Sequence, residues 1–159
     1  MAELRTAPAG DPAVTAFLEE RGMAVVARRG ELVDALARPA MAAMEDDALA
    51  GVLSYELGPV ECEILTLYVA RRSAGVGSAL VRAVADAATA AGCRRCWVVT
   101  TNDHVNALRF YQRRGFHLTT IRCGAVDEAR GALKPAIPLI GDYGIPLRDE
   151  LELAWDLLP

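Results

Sequence analysis

The order of residue patterns between positions 61 and 122 restricts this chain more than any other feature. Glu61 to Ala70 (ECEILTLYVA) is rich in β-branched and aromatic residues and apolar on both faces after its acidic start, as a central strand requires. Arg71-Arg72-Ser73-Ala74-Gly75-Val76-Gly77-Ser78 breaks the run, and a helical stretch from Ala79 to Ala91 follows, stopped by Gly92. Leu80, Val81, Val84, Ala87 and Ala88 give that helix one apolar stripe, with Arg82 and Asp86 left for water. Cys96 to Thr101 (CWVVTT) reads as a second strand. Asn102-Asp103 then caps a helix through Arg114, Gly115 takes the C′ place, and Phe116 to Arg122 reads as a third strand. This alternation predicts a mixed α/β architecture.

The flanking sequence adds elements around that centre. Asp11-Pro12 ahead of Val14, Phe17 and Leu18, ending at Gly22, reads as a capped amphipathic helix with proline at its first position. Met23 to Ala27 is a short apolar stretch followed by a weakly patterned segment through Leu36. Pro39 to Met44 and Leu49 to Tyr55, joined across Glu45-Asp46-Asp47, read as a hairpin, and Gly58-Pro59 turns the chain again. Ala125 to Leu133 reads as a helix, Pro135 to Pro146 as irregular, and Glu150 to Leu157 as a last alternating strand. No repeat or Pro/Gly/Ser linker divides the 159 residues, so a single domain over 1–159 is expected.

Composition removes several classes of function. The chain is 53% hydrophobic but only 6% aromatic, and much of that fraction is alanine, a small helix-favouring residue rather than lipid-facing bulk. Its middle apolar run, Ile64 to Ala70, falls far short of the roughly 20 residues a spanning helix needs. The start, MAELRTAPAGDP, lacks the basic and apolar blocks of a secretory signal, so a cytoplasmic protein without a membrane partner is expected. A net charge of −4, from 17 basic and 21 acidic residues, argues against nucleic acid as a partner. One lysine stands among those 17 basic residues; with the alanine content this suggests a GC-rich bacterial genome. Cys93-Arg-Arg-Cys96 has zinc-like spacing but nothing completes a ligand set, so Cys62, Cys93, Cys96 and Cys123 read as reduced cysteines and no metal is expected.

The glycine pair at the strand-helix junction has a definite use. Gly75 and Gly77 let backbone amides turn inward at a helix N-terminus, where unpaired N–H groups and the dipole attract phosphate. A dinucleotide fingerprint would need a third glycine where Leu80 stands, which weakens a nucleotide-dependent oxidoreductase, and a Walker loop would need a lysine, the only one being Lys134.

LYVARRSAGVGSAL resembles the signature of the GNAT N-acetyltransferase superfamily, in which Arg/Gln-x-x-Gly-x-Gly/Ala carries the pyrophosphate of acetyl-CoA. Arg72, Gly75 and Gly77 meet that pattern. The family's second signature, a helix ending in Tyr-x-x-x-Gly-Phe, is similar to Ala107-Leu108-Arg109-Phe110-Tyr111-Gln112-Arg113-Arg114-Gly115-Phe116. The two together cover roughly residues 45 to 122 and imply the GNAT fold: a central, mostly antiparallel mixed sheet of about six to seven strands flanked by helices.

The resemblance implies direct attack of an amine on the acetyl-CoA thioester, through a tetrahedral oxyanion, with the CoA thiolate leaving. Alkylammonium groups titrate near pKa ~10, so a base must take a proton. Glu61 and Glu63 are two apart and share a face by alternation, the face of Val69. Glu63, six residues before Val69, matches the general-base place of the histone-acetylating branch, with Glu61, His104 or water as alternatives. Tyr111 matches the family's general acid for the leaving thiolate. The backbone around Leu67, Tyr68 and Val69 matches the pantetheine-pairing strand, and Arg71, Arg72, Ala74, Gly75, Val76, Gly77 and Ser78 match the pyrophosphate loop. Where the family usually has an asparagine seven residues before its tyrosine, this chain has His104, flanked by Asn102 and Asn106, either of which is a candidate for that contact. His117 reads as structural.

Between Arg122 and Glu150 lie roughly 25 residues, longer than a minimal hairpin and a candidate acceptor wall. Asp127, Glu128, Asp142, Asp149 and Glu150 there point to a cationic amine, of a small molecule or peptide. A non-catalytic acyl-CoA-binding module of the same fold is the rival expectation, and the oligomeric state is monomer or homodimer.

Overall fold

The computed structural model describes residues 2–70 and 75–157. Its elements are β1 (Glu3–Ala7), α1 (Pro12–Glu20), β2 (Val25–Arg28), β3 (Glu31–Asp34), β4 (Ala40–Glu45), β5 (Ala48–Leu57), β6 (Glu61–Val69), α2 (Val76–Ala90), β7 (Arg95–Thr101), α3 (Val105–Gln112), β8 (His117–Arg122), α4 (Ala125–Ala132) and β9 (Glu150–Asp156), with single 3-10 turns at Ala35–Ala37 and Asp142–Gly144. Seven strands follow the hydrogen-bonded order β1-β4-β5-β6-β7-β9-β8, mostly antiparallel, while β2 and β3 pair separately. The chain groups into two compact units, residues 1–26, 34–96 and 157–159 in the first, 27–33 and 97–156 in the second.

In the first unit, β1, β4, β5 and β6 form successive antiparallel pairs. α1 begins as its sequence requires, with Asp11 accepting from the Val14 N–H at 3.0 Å and Pro12 in the first turn. Its buried Val14, Phe17 and Leu18 join Ala7, Ala40, Ala42 and Val52 in one core cluster. The other face of the sheet meets α2, because a Cβ on Gly51 would come within 3.1 Å of both Leu80 and Val76. A Cβ at position 51 would crowd both side chains, and glycine lets the alanine-rich helix approach the strand closely.

The pairing of β5 with β6 contains an irregularity that decides which way the site residues point. Ser54 pairs with Thr66 but Tyr55 pairs with Ile64, so Leu65 is one residue in excess. Directly paired residues share a face, so Tyr68, Thr66 and Glu63 lie with Val52, Ser54 and Glu56, while Val69, Leu67 and Ile64 lie with Gly51, Leu53 and Tyr55. The buried hydroxyls of Ser54 and Thr66 lie 2.5 Å apart on the first of these faces.

The second unit holds α3, α4, β8, β9 and most of β7. β8 and β9 pair from His117↔Ala154 to Arg122↔Glu150, with one bulged residue, Thr119. Leu151, Leu153 and Trp155 face one way, and Trp155 packs on Phe116 with ring centres 5.7 Å apart. Glu150, Glu152 and Ala154 face the other way. The proline-rich 135–146 segment is well tied down. Arg130 donates to the carbonyls of Ile137, Pro138 and Leu147 at 2.9, 2.9 and 2.7 Å.

Several sequence expectations change here. Asn102-Asp103 does not cap α3; His104 holds the N-cap position without a side-chain bond. The reason is competition: Asp103 accepts from the Asp142 N–H at 3.0 Å, and Asn102 turns to the segment before β9. α2 starts at Val76, three residues earlier than expected, because Gly75 supplies the left-handed cap. The stretches 3–7, 25–28 and 31–34 are strands that the residue pattern did not reveal.

Candidate active site

The N-terminus of α2 is a ready anion site. Gly75, at φ +96°, makes the cap with no side-chain hydrogen bond, and the first turn carries no acidic residue. The first intrahelical bond runs from the Ala79 N–H to the Gly75 carbonyl at 2.9 Å, so the amides of Val76 and Gly77 have no acceptor inside the helix. Those amides, a positive dipole end and a first turn without an acidic residue fit a pyrophosphate. Arg71, Arg72 and Ala74, expected to complete the loop, lie outside the described residues. Leu67, Tyr68 and Val69 precede it at the end of β6, paired along one edge with Leu53, Val52 and Gly51. Tyr68 packs edge-on to Phe17 at 5.8 Å and beneath the Arg21 guanidinium.

Glu63 is 5% exposed, so it is a buried carboxylate and not a solvated charge at a strand entrance. Glu61 is half-buried and ion-paired with Arg95 at 3.7 Å. The bulge at Leu65 corrects one step of the sequence reasoning: Glu61 and Glu63 share a face, but Val69 lies on the opposite one.

Tyr111 stands in the last turn of α3 with its ring wedged between Phe110 and Phe116, at centroid distances of 5.2 and 5.1 Å and near edge-on angles. Burial pushes its phenol well above the ordinary tyrosine value, so it stays protonated at neutral pH. No hydrogen bond holds its hydroxyl among the described residues. The helix ends just beyond it, and Gly115, at φ +96°, turns the chain where a Cβ would lie 3.3 Å from the Trp155 indole nitrogen.

The three residues near the start of α3 differ in what they can still offer. Asn102 turns its carboxamide inward: its oxygen accepts from the Arg148 and Asp149 N–H groups at 3.0 and 2.9 Å, and its nitrogen donates to the Pro146 carbonyl. Asn106 exchanges two hydrogen bonds with the Tyr143 hydroxyl, donating at 2.9 Å and accepting at 3.1 Å. His104 is exposed, with its Nδ1 only 3.4 Å from the Thr100 hydroxyl. His117 is also exposed, at the start of β8.

Comparison with known proteins decides the family. The profile of the Acetyltransferase (GNAT) family matches residues 7–116. The chain belongs to this family. It is 39% identical over 107 residues to the uncharacterised protein YdhI of Bacillus subtilis, covering 67% of this chain and 66% of that one. It is 31% identical over 144 residues to a streptothricin acetyltransferase of Streptomyces lavendulae, covering 85% and 75%. In three dimensions it is similar to an IAA acetyltransferase from Bacillus cereus, with a TM-score of 0.76, 22% identity and coverage of 98% and 99%. A GNAT acetyltransferase from Elizabethkingia anophelis with acetyl-CoA bound aligns with a TM-score of 0.71 at 17% identity, covering 98% and 97%. The α/β fold with its seven-stranded sheet is thus the GNAT fold.

The GNAT chain also carries site features that the sequence did not reveal. Glu152, 5% exposed, binds two guanidinium groups, Arg122 at 2.7 Å and Arg29. Burial alone would raise its pKa, but the hydrogen bonds and charges of Arg122 and Arg29 outweigh it and hold the carboxyl below the usual range. Arg29 comes from the turn between β2 and β3 and lies over the Trp97 ring at 3.7 Å. Of the five acids expected to line an acceptor wall, Glu128 and Glu150 line one cavity. Asp127 is paired with Arg130 at 2.6 Å, and Asp149 accepts from the Gly124 N–H at 2.7 Å.

The cysteines are free, and Cys62, Cys93 and Cys96 are buried. Hydrogen bonding to Cys96, reinforced by burial, pushes the Cys62 thiol far up. Among the described residues no group of three His, Cys, Asp or Glu is placed to hold a metal, and no helix is long and apolar enough to cross a membrane.

Proposed function

We propose that this GNAT chain is an acetyl-CoA-dependent N-acetyltransferase, acting as one domain in a bacterial cytoplasm on a primary amine that belongs to a cationic small molecule or peptide. The observation that carries the reading is Tyr111: a protonated, buried phenol without a hydrogen-bond partner among the described residues, next to the family's Gly115-Phe116 turn. The bound donor supplies a thioester, whose acyl carbon takes the amine's lone pair as its C–S bond breaks. Tyr111 then gives its hydroxyl proton to the departing sulfur, and Glu63 takes the proton that the amine loses, directly or through water. The α2 N-terminus with Arg71, Arg72 and Ala74 holds the pyrophosphate, and the backbone of Leu67 to Val69 pairs with the pantetheine arm. With Asn102 occupied internally, His104 is the group near the start of α3 that remains for a contact with the donor.

The test has two stages. Acetyl-CoA is expected to raise the melting temperature, and thiol release is expected with at least one member of a panel of primary amines. The absence of a thermal shift would remove the acyl-CoA site. Binding with no thiol release on any amine would instead leave a non-catalytic acyl-CoA-binding module.

A further inference from the structure

The Leu65 bulge does more than turn Val69 away from Glu63. By alternation Thr66 and Glu63, three residues apart, would point to opposite faces of β6. The extra residue brings both to the face that carries Ser54 and Glu56. Ser54 is fully buried, and Thr66 and Glu63 are each 5% exposed, so a hydroxyl pair and a carboxylate share the interior of the first unit. Glu63 pairs with Glu56, two residues from Ser54, which makes Glu63 and Ser54 diagonal neighbours about 7–8 Å apart. Glu56 itself is ion-paired with Arg38 at 3.2 Å.

The two hydroxyls carry one proton more than they use. Each has a single O–H to donate, and the bond between their oxygens at 2.5 Å consumes one of the two. Neither has another partner among the described residues, and neither reaches Glu63 directly. A buried donor left unmade is costly, whereas two apolar residues would fill the same cross-strand place without that cost. An acceptor for the second proton is therefore expected beside the pair, and Thr66 keeps the slight exposure that Ser54 lacks.

We propose that Thr66, backed by Ser54, positions the water through which Glu63 takes the proton of the acceptor amine. The inference rests on the acetyltransferase reading with Glu63 as its base. Ser54 donates to Thr66, and Thr66 donates to one lone pair of the water. The other lone pair faces the amine, which leaves a water proton directed at the Glu63 carboxylate. As the amine nitrogen bonds to the acyl carbon, its proton passes to the water oxygen while the water's own proton passes to Glu63. Both hydroxyls end with the protons they began with, so they are positioning residues.

Steady-state thiol release by the full chain, varied in acetyl-CoA and in a primary amine that the wild type accepts, tests this. Thr66→Val keeps the shape and is expected to lower kcat about tenfold, with the KM for acetyl-CoA held within about twofold. Thr66→Ser, which keeps the hydroxyl, is expected to restore the rate to within about twofold of the wild type. Ser54→Ala/Thr66→Val removes both partners together, a change near neutral for stability, and is expected to melt like the wild type and to turn over like Thr66→Val. In a Glu63→Gln background Thr66→Val is expected to cost nothing further, since both act on one proton. Wild-type kcat in a Ser54→Ala/Thr66→Val protein, no recovery in Thr66→Ser, or losses at Glu63 and Thr66 that simply multiply would each overturn the inference and leave the acetyltransferase standing. No thiol release by the wild type on any amine would remove the acetyltransferase reading and the inference with it.

Discussion

Glu63 and Val69 stand six residues apart on β6 yet face opposite sides of the sheet. Simple alternation would place them together, and the single extra residue, Leu65, separates them. The bulge puts Glu63 on the face that carries Thr66 and Tyr68, where Tyr68 meets Phe17 of α1, while Val69 turns with Gly51 toward α2. The proposed proton acceptor, Glu63, thereby lies on one face of the strand, and α2, whose N-terminus is the proposed phosphate site, packs on the other.

If Glu63 is the base, replacing it with glutamine removes proton acceptance while keeping the shape. Thiol release by Glu63→Gln is expected to fall about 100-fold at neutral pH, with the acetyl-CoA thermal shift retained. The variant should recover part of the loss as the pH rises toward the amine's own pKa. An unchanged rate would assign the role to Glu61, His104 or water.

Tyr111→Phe keeps the ring between Phe110 and Phe116, so stability should change by less than about 1 kcal/mol in a urea melt. Thiol release is expected to drop by roughly 100-fold, because the leaving sulfur loses its proton donor. Burial raises the phenol's pKa, so Tyr111 stays protonated and contributes no limb to the wild-type rate profile between pH 6 and about 9. Tyr111→Ala, by contrast, should cost about 3–5 kcal/mol by emptying the site.

Local chemistry made part of this structure legible in the sequence. Asp11, Pro12 and Gly22 fix the ends of α1 through contacts only a few residues long, and Gly75 and Gly115 mark turns that need a left-handed residue. The family motifs likewise singled out Gly75, Gly77 and Tyr111 as site candidates. What could not be read depends on partners distant in sequence. β1 buries only Ala7, so its five residues carry no apolar alternation. The Leu65 bulge exists only in the register with β5. Glu150 and Glu152 look like the wet face of a last strand, but the turn carrying Arg29 brings a partner from 123 residues earlier and buries them.

Gly141 is required for space, since its φ of −101° is open to any residue. A Cβ there would lie 2.0 Å from the Asp103 carboxylate oxygen and 2.5 Å from its carboxyl carbon. Asp103 cannot simply move, being 6% exposed and bonded to the Asp142 N–H at 3.0 Å and the Thr101 hydroxyl at 2.5 Å. Gly141→Ala is expected to cost roughly 1–3 kcal/mol in denaturant unfolding. In an Asp103→Ala background the same change should cost much less, a coupling that a double-mutant cycle reads directly.

The Arg29–Glu152–Arg122 cluster makes stability depend on acid. Because the folded pKa of Glu152 lies below its ordinary 4.5, the carboxylate's stabilisation is fully present above that value and is lost as pH falls through the lower, folded one. Both arginine side chains keep about a third of their exposure, 37% and 32%, so solvent screens the pair and the expected contribution is modest, about 1–2 kcal/mol. Glu152→Gln should therefore be less stable than the wild type by that amount at pH 7. The difference should shrink toward zero as the pH falls through the folded value, because a protonated glutamate and a glutamine present nearly the same neutral group to the two arginines. Urea melts of both proteins at pH 7, 5, 4 and 3 measure it; a gap that persists undiminished at pH 3 would mean that glutamine disturbs packing and that the arginines' charge is not what Glu152 answers.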